Sequence, residues 1–352
     1  MKDSEKILLK LLQLSLGKEV EFEPVEESLW QEVFDLAKKH AVLGVIYSGV
    51  ERLQPELWPP KKLSMWLYAQ SGFIRQRNVD ADYAAVRVCS ILESKGFGPV
   101  VLLKGQGLGS LYPDAALRQC GDVDVWSRAP RKALVSYARV RKPSSKVFYH
   151  HVDLDPVGKM GVELHFTPTW MNSPLRNRRL QKFFRTEGTG VPVKLSGGEV
   201  KMPSDSFNRV FVLVHIYRHL FSEGVGLRQL MDYDCLLEKG FTEEERKACE
   251  AAILSLGLGK FAGAVMYALG SAFALDPSRM IVSPDAVRGE AFLQEVLKAG
   301  NFGHADASFP RSGAAKLRRS LRFLSLYPSE VLWGPVFKLW QILFIRLKYN
   351  RK

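Results

Sequence analysis

Two aspartates in the stretch LRQCGDVDVW, residues 117–126, are the first side chains in the chain whose spacing suggests chemistry. Successive side chains on a strand point to opposite faces, so a strand here would set Asp122 and Asp124 on one face and Val123 and Val125 on the other. Carboxylates buried without partners are costly, so the pattern calls for a cation. A second strand-like run, GVELHF (161–166), places Glu163, His165 and Thr167 on one face and Val162, Leu164 and Phe166 on the other. Laid beside the first strand with both apolar faces on the core, it brings Glu163 close to Asp122 and Asp124. Three clustered acids raise one another's pKa unless a cation neutralises them. Mg²⁺, a hard ion that takes oxygen ligands and is commonly completed by substrate phosphates, meets that need.

Upstream, GPVVLLKG (98–105) reads as a short apolar strand ending in Lys104-Gly105, and QGLGSLYP (106–113) as a short helix stopped by Pro113. Backbone N–H groups and the helix dipole at such a junction can receive phosphate, and Gly105, Gly107 and Gly109 would permit close backbone approach. Arg118 is a further phosphate candidate because a guanidinium can bind two oxygens at once. His165 is either a nucleotide or acceptor contact or an ordinary hydrogen-bonded strand histidine.

The elements that must hold these residues fall into three stretches. Residues 1–95 read as helices, including ESLWQEVFDLAKKHAVLGVIYSGVERL (27–53) and a run that opens on proline and closes on glycine. Residues 96–203 read as a small mixed α/β unit. Its strands include VFYHHVDLD and GVELHFTPTW, paired as an antiparallel hairpin across PVGKM, and its APRKALVSYARV segment reads as a helix. Residues 204–352 return to helical spacing, with Thr242 ahead of Glu243, Glu244 and Glu245 as an N-terminal cap. The fold class expected is α+β, a small mixed sheet flanked by helical regions.

The chain's 352 residues and 46% hydrophobic content suffice for two or three packed units. Four scattered cysteines without a Cys-x-x-Cys pair fit reduced thiols, hence a cytoplasmic setting. The leucine-rich N-terminus, interrupted by Lys10, reads as an amphipathic helix rather than a signal peptide. No apolar run reaches the roughly 20 residues of a membrane span. Of the formal +13 charge, ten bases against one acid, Glu330, lie from Arg311 onward. With Trp333, Phe337, Trp340, Phe344 and Tyr349, this basic aromatic tail reads as peripheral contact with the inner membrane surface, ahead of nucleic acid; the plainer reading is a final core helix begun by Pro335. His215 and His219, four apart, read as packing against the sheet, and Arg228 with Asp232 as a helix-surface pair. The alternative for Arg228 is a contact to triphosphate. RVFVLVH (209–215) loosely resembles the arginine-histidine motif of certain helical ribonucleases.

Taken together, VVLLKGQGLGSLYPDAALRQCGDVDVW, then GVELHF, then HIYRHLFSEGVGLRQLMDYDCLL resemble a bacterial nucleotidyltransferase family of the polymerase-β-like superfamily. The resemblance implies a minimal nucleotidyltransferase fold in which Asp122 and Asp124 ligate two Mg²⁺ ions, with Mn²⁺ as a substitute, and Glu163 completes the site. It implies in-line attack on the α-phosphate of a nucleoside triphosphate, ATP for example, and release of pyrophosphate. Lys104, Gly105, Arg118, His165 and Arg228 would contact nucleotide or phosphate. Gln106 stands where the superfamily has Ser or Gly, and Ser110 is the hydroxyl offered in its place. The acceptor is not identified. The competing expectation is a catalytically silent binding or scaffold protein of the same fold acting at an anionic surface.

Overall fold

The computed structural model describes residues 1–301 and 313–349. The N-terminal part folds into α1 (Asp3–Ser15), α2 (Glu27–His40), α3 (Leu43–Glu51) and α4 (Lys61–Ser94). Residues 27–53 are two helices rather than one continuous helix. Ala41 adopts a left-handed conformation (φ 55°, ψ 44°), and the N–H groups of Ala41 and Val42 return to the carbonyls of Lys38 and Ala37. That arrangement closes a helix C-terminus. The break lets α3 turn its glycines onto other backbone: a Cβ at Gly49 would lie 2.2 Å from the Leu11 carbonyl oxygen, and one at Gly44 2.3 Å from that of Leu117.

The central sheet contains β1 (Val100–Leu103), β2 (Val123–Ser127), β3 (His151–Asp153) and β4 (Val162–His165), in the order β1-β2-β4-β3. β1 and β2 are antiparallel and joined through α5 (Gly105–Gly109); β3 and β4 form the expected antiparallel hairpin. β2 and β4 are parallel, a pairing that needs a crossover, which α6 (Arg131–Arg141) with β3 provides. A helix, α7 (Pro174–Thr186), and a second antiparallel pair, β5 (Thr189–Leu195) and β6 (Gly198–Pro203), follow; neither was marked by a strong pattern in the sequence.

The C-terminal helices are α8 (Asp205–Ser222), α9 (Leu227–Glu238), α10 (Glu243–Ser255), α11 (Gly259–Phe273), α12 (Ala286–Ala299), α13 (Gly313–Leu321) and α14 (Pro328–Tyr349). Thr242 caps α10 as its sequence implies: its hydroxyl accepts from the Glu245 N–H while the Glu245 carboxylate accepts from the Thr242 N–H, at 3.2 and 3.1 Å. Pro335 does not start the last helix. It lies inside α14, and Pro328 occupies the start, where a missing N–H costs nothing.

The sheet separates two apolar cores. Val100, Leu102, Val123, Val125, Val162 and Leu164 belong to a core shared with the C-terminal half of α4 and with α6. On the other face, Val101, Leu103 and Trp126 enter a larger core that joins the N-terminal helices to α8, α9 and α11. This is the α+β arrangement expected, with helices on both sides of a small mixed sheet. The alternation of β2 and β4 thus buries the valines on one face and turns the acids to the other, opposite Phe211, Val212 and Ile216 of α8.

Candidate active site

Strand register decides which acids meet. Asp124 is the direct partner of Glu163 across the parallel pair, and Glu163 is in turn opposite Asp153 across the hairpin. One step along, Trp126, His165 and His151 form the next row. The result is an acidic row beside an imidazole row on one sheet face.

At its centre, Asp124 is buried and held from two sides. Its carboxylate lies 2.8 Å from Nε2 of His165 and 3.1 Å from Nζ of Lys104. Glu163 Oε2 is 3.3 Å from the same His165 nitrogen and 3.5 Å from Nδ1 of His151. Nδ1 of His151 is 2.9 Å from Nε2 of His150, and Nε2 of His151 is 3.3 Å from Asp153. Lys104 reaches Asp124 from a backbone with φ 43° and ψ −141°. Such conformations cost about 1–3 kcal/mol and persist where the surroundings demand them.

These contacts set the protonation states. Burial alone would raise the pKa of Asp124; the Lys104 ammonium and the hydrogen bond to His165 override it and hold the carboxylate well below its usual range. Burial raises Glu163, helped by the charge of Asp124 and opposed by its hydrogen bond to His165. Burial would depress His165, yet its hydrogen bonds to Asp124 and Glu163 raise it overall. Burial, with repulsion from His165, lowers His151 to about 3 and His150 well below its ordinary value. The imidazoles at 150 and 151 are therefore neutral, as metal ligands must be.

The cluster opens into a cleft of about 1230 Å³ between the sheet and α8 and α9. Asp122 lines its rim, half-facing solvent just before β2; Gly161 lets it sit there, since a Cβ at 161 would fall 2.7 Å from the Asp122 carboxylate oxygen. Lys142 and Lys146 lie on the β3 side. Arg218 stands opposite, its guanidinium 3.2 Å above the Trp170 ring and donating to the Thr169 hydroxyl.

Several residues marked in the sequence are employed differently. Arg118 is buried, with Nε and Nη2 both 2.6 Å from the Asp232 carboxylate, to which Tyr112 also donates at 2.7 Å. Its two-oxygen fork is therefore filled by protein. Arg228 and Asp232 are not a helix-surface pair: both are buried, Asp232 belongs to Arg118, and Arg228 donates to the Gln119 carbonyl at 2.7 Å while still lining the cleft. Gln106 turns away from the cleft and donates to Asn78 of α4, whose own amide donates to the carbonyls of Ala116 and Arg118. The Ser110 hydroxyl donates to the Gly107 carbonyl and does not line the cleft. Gly105 lines the cleft with φ 49°, but Gly107 and Gly109 pack against Met202 and Arg118 instead. His215 and His219 line the cleft wall, where packing on the sheet was expected; His219 also meets Glu223 at 3.1 Å.

His150, His151, Asp153, Lys142, Lys146 and Arg218 join the site without having been singled out in the sequence. The signal for two of them was present: in YHHVD, His151 and Asp153 alternate with Val152, and hairpin pairing puts them on the face of Glu163.

The donor set fits a divalent ion. Ligand atoms of Asp124, Glu163 and His165 lie within 4.8 Å of one another, as do those of His150, His151 and Glu163, so two ligand groups share Glu163. Asp122 belongs to neither group. The carboxylate oxygens suit Mg²⁺ or Mn²⁺, whereas the imidazole nitrogens of the His150, His151 and Glu163 group suit a softer ion such as Zn²⁺ or Fe²⁺.

Residues 26–274 match a family model described as "uncharacterised nucleotidyltransferase". A solved structure, an antigenic nucleotidyltransferase-like protein from Paracoccidioides brasiliensis, matches at 15% sequence identity and a TM-score of 0.35, covering 61% of this chain and 97% of that one. No curated protein matches the chain. By the family match, which spans well over half its length, the chain belongs to the uncharacterised nucleotidyltransferase family.

Proposed function

We propose that this nucleotidyltransferase-family protein transfers a nucleoside monophosphate from a nucleoside triphosphate to an acceptor nucleophile with release of pyrophosphate. The observation that carries the reading is the register-locked approach of Asp124 and Glu163, with Lys104 and His165 at hydrogen-bond range, at the floor of a cleft roomier than the ~300–1,000 Å³ of common small-molecule sites. Such a cleft has space for a nucleotide and a second substrate.

Asp124 and Glu163 would hold one divalent ion, with His165 hydrogen-bonded to both carboxylates, and His150, His151 and Glu163 a second, with Asp122 at the rim as an added oxygen ligand. When bound, the ions supply charge neutralisation at the phosphates and at the leaving oxygen. The chain's own residues do the rest. Lys104, Lys142 and Lys146 offer positive charge along the cleft for the β- and γ-phosphates, and Gly105 leaves the backbone open to them. Glu163, its carboxyl pKa raised by burial, takes the acceptor's proton as the acceptor oxygen forms its bond to the α-phosphorus. The bond from the α-phosphorus to the bridging oxygen breaks, and pyrophosphate carries away the electron pair. His165 fixes both carboxylates through one nitrogen, so that they meet the substrate in a set orientation.

One observation favours the silent scaffold as a second reading: Lys104 already neutralises Asp124 within the protein. Incubating the full chain with Mg²⁺ or Mn²⁺, mixed triphosphates and candidate acceptors, and scanning products by mass spectrometry, tests the proposal. Added nucleotide masses that vanish in Asp124→Asn support transfer. Absence of triphosphate binding by folded protein under both metals would leave the scaffold reading in possession.

A further inference from the structure

The C-terminal helix carries an apolar face that nothing in the described fold covers. Along α14, Leu332, Val336, Leu339, Trp340, Leu343 and Leu347 recur at helical spacing and fall on one stripe, each 45–63% exposed. The stripe runs about 22 Å along the helix, at 1.5 Å per residue. It is not a loose end. Phe337 and Val331 are buried, the Glu330 carboxylate accepts from the Asn172 N–H at 2.8 Å, and the Tyr149 ring meets Phe337 and Trp340 at 5.2 and 5.4 Å. The helix is thus seated by one side with its leucines turned outward.

Charge on this surface has one sign. Lys338, Arg346 and Lys348 are exposed along the helix, and its sole acid, Glu330, is buried. Beside its end, a groove of about 610 Å³ between α6 and α14 combines Lys132, Arg139 and Lys348 with the apolar Val135 and Val140. Cations set over apolar walls match an anionic headgroup above its acyl chain. No helix among the described residues is long and apolar enough to cross a membrane. The bases Arg311, Lys316, Arg351 and Lys352 of the same tail lie outside the residues whose side chains are described.

We propose that α14 lies in the plane of an anionic lipid bilayer, its leucine and tryptophan stripe entering the headgroup boundary and its bases meeting lipid phosphates. An apolar stripe, interfacial tryptophans and unopposed basic flanks are the composition such helices require. A protein groove could take the leucines, but it would have to supply acids against every flanking base. Docking in this way would also hold the cleft near the lipid surface, because Tyr149, which packs on α14, directly precedes His150 of the cleft wall. The proposal stands apart from the transfer reaction.

Sedimentation of the full chain with vesicles tests it, comparing phosphatidylcholine alone with an equal-part mixture of phosphatidylcholine and phosphatidylglycerol. The protein should pellet with the mixed vesicles, less so with phosphatidylcholine, and release with salt. Fluorescence of Trp333 and Trp340 should be quenched by brominated acyl chains. Leu339→Glu with Leu343→Glu, both at exposed positions, should lower partitioning at least about a hundredfold. Lys338→Glu with Arg346→Glu should abolish the preference for anionic vesicles. The idea is overturned if the wild-type chain stays in the supernatant, or if the folded leucine variant pellets undiminished. It is overturned equally if the stripe mediates a dimer, seen by analytical ultracentrifugation, without any binding to vesicles.

Discussion

The pairing of Arg118 with Asp232 invites a quantitative test, because it separates a phosphate contact from an internal brace. Both side chains are buried, and two N–O distances of 2.6 Å join them. At an effective dielectric of ~20, opposite charges about 4 Å apart attract by about 4 kcal/mol, and leaving one partner of such a pair alone in the interior costs about 3–5 kcal/mol. Here the penalty has a second source. Arg228 is buried nearby, and burial followed by repulsion from Arg118 depresses its pKa to about 10. Asp232→Leu should therefore destabilise the protein by about 3–5 kcal/mol in urea denaturation. Adding Arg118→Met removes the stranded cation and should recover most of that loss. Titrating the double variant with a nucleoside triphosphate then gives the decision. If Arg118 is a brace, binding survives with less than about a threefold change, since its guanidinium, although at the cleft wall, is taken up by Asp232. A stable, folded double variant that has lost triphosphate binding would show that Arg118 reaches phosphate after all.

Other perturbations give equally direct outcomes. Asp124→Asn removes the acid at the centre of the cluster and should reduce metal-dependent triphosphate binding by at least tenfold, about 1.4 kcal/mol or more in calorimetry, while circular dichroism stays unchanged. Gly161→Ala would drive a methyl into the Asp122 carboxylate; that side chain is exposed and can yield, so the melting temperature should move little while transfer activity falls. Glu330 has its pKa raised to about 7, chiefly by burial, from an ordinary value near 4.5. The folded state then holds a proton that the unfolded chain has released, so stability contributed by this group is full below about pH 4.5 and is lost as pH rises toward 7. That loss amounts to about 3 kcal/mol at 1.36 kcal/mol per pH unit. Glu330→Gln should remove this part of the slope and leave the variant more stable than the parent above pH 7, as measured by denaturation across the pH range.

Local patterns in the chain were enough to identify the four strands of the central sheet. The alternation of Asp122, Val123, Asp124 and Val125, and of Val162, Glu163, Leu164 and His165, follows from the two-residue period of a pleated strand and sets which side chains can face a common cleft. The Thr242 cap and the β3–β4 hairpin were legible for the same reason, since each depends on residues only a few positions apart. Relations between distant segments were not. Whether Arg118 would meet a phosphate or Asp232, 114 residues away, depends on where α9 packs, and α9 brings a buried carboxylate to it. Gln106 turned to Asn78 because α4 runs beside α5, and His215 with His219 turned to the cleft because α8 forms its wall. From residue types and short spacings came the acidic face and the mixed sheet, and from the resemblance of the combined motifs came the family. Tertiary packing alone decided which cations were spent inside the protein and which histidines reached the acids, because strand register and helix docking are set by burial summed over the whole chain rather than by any one stretch of it.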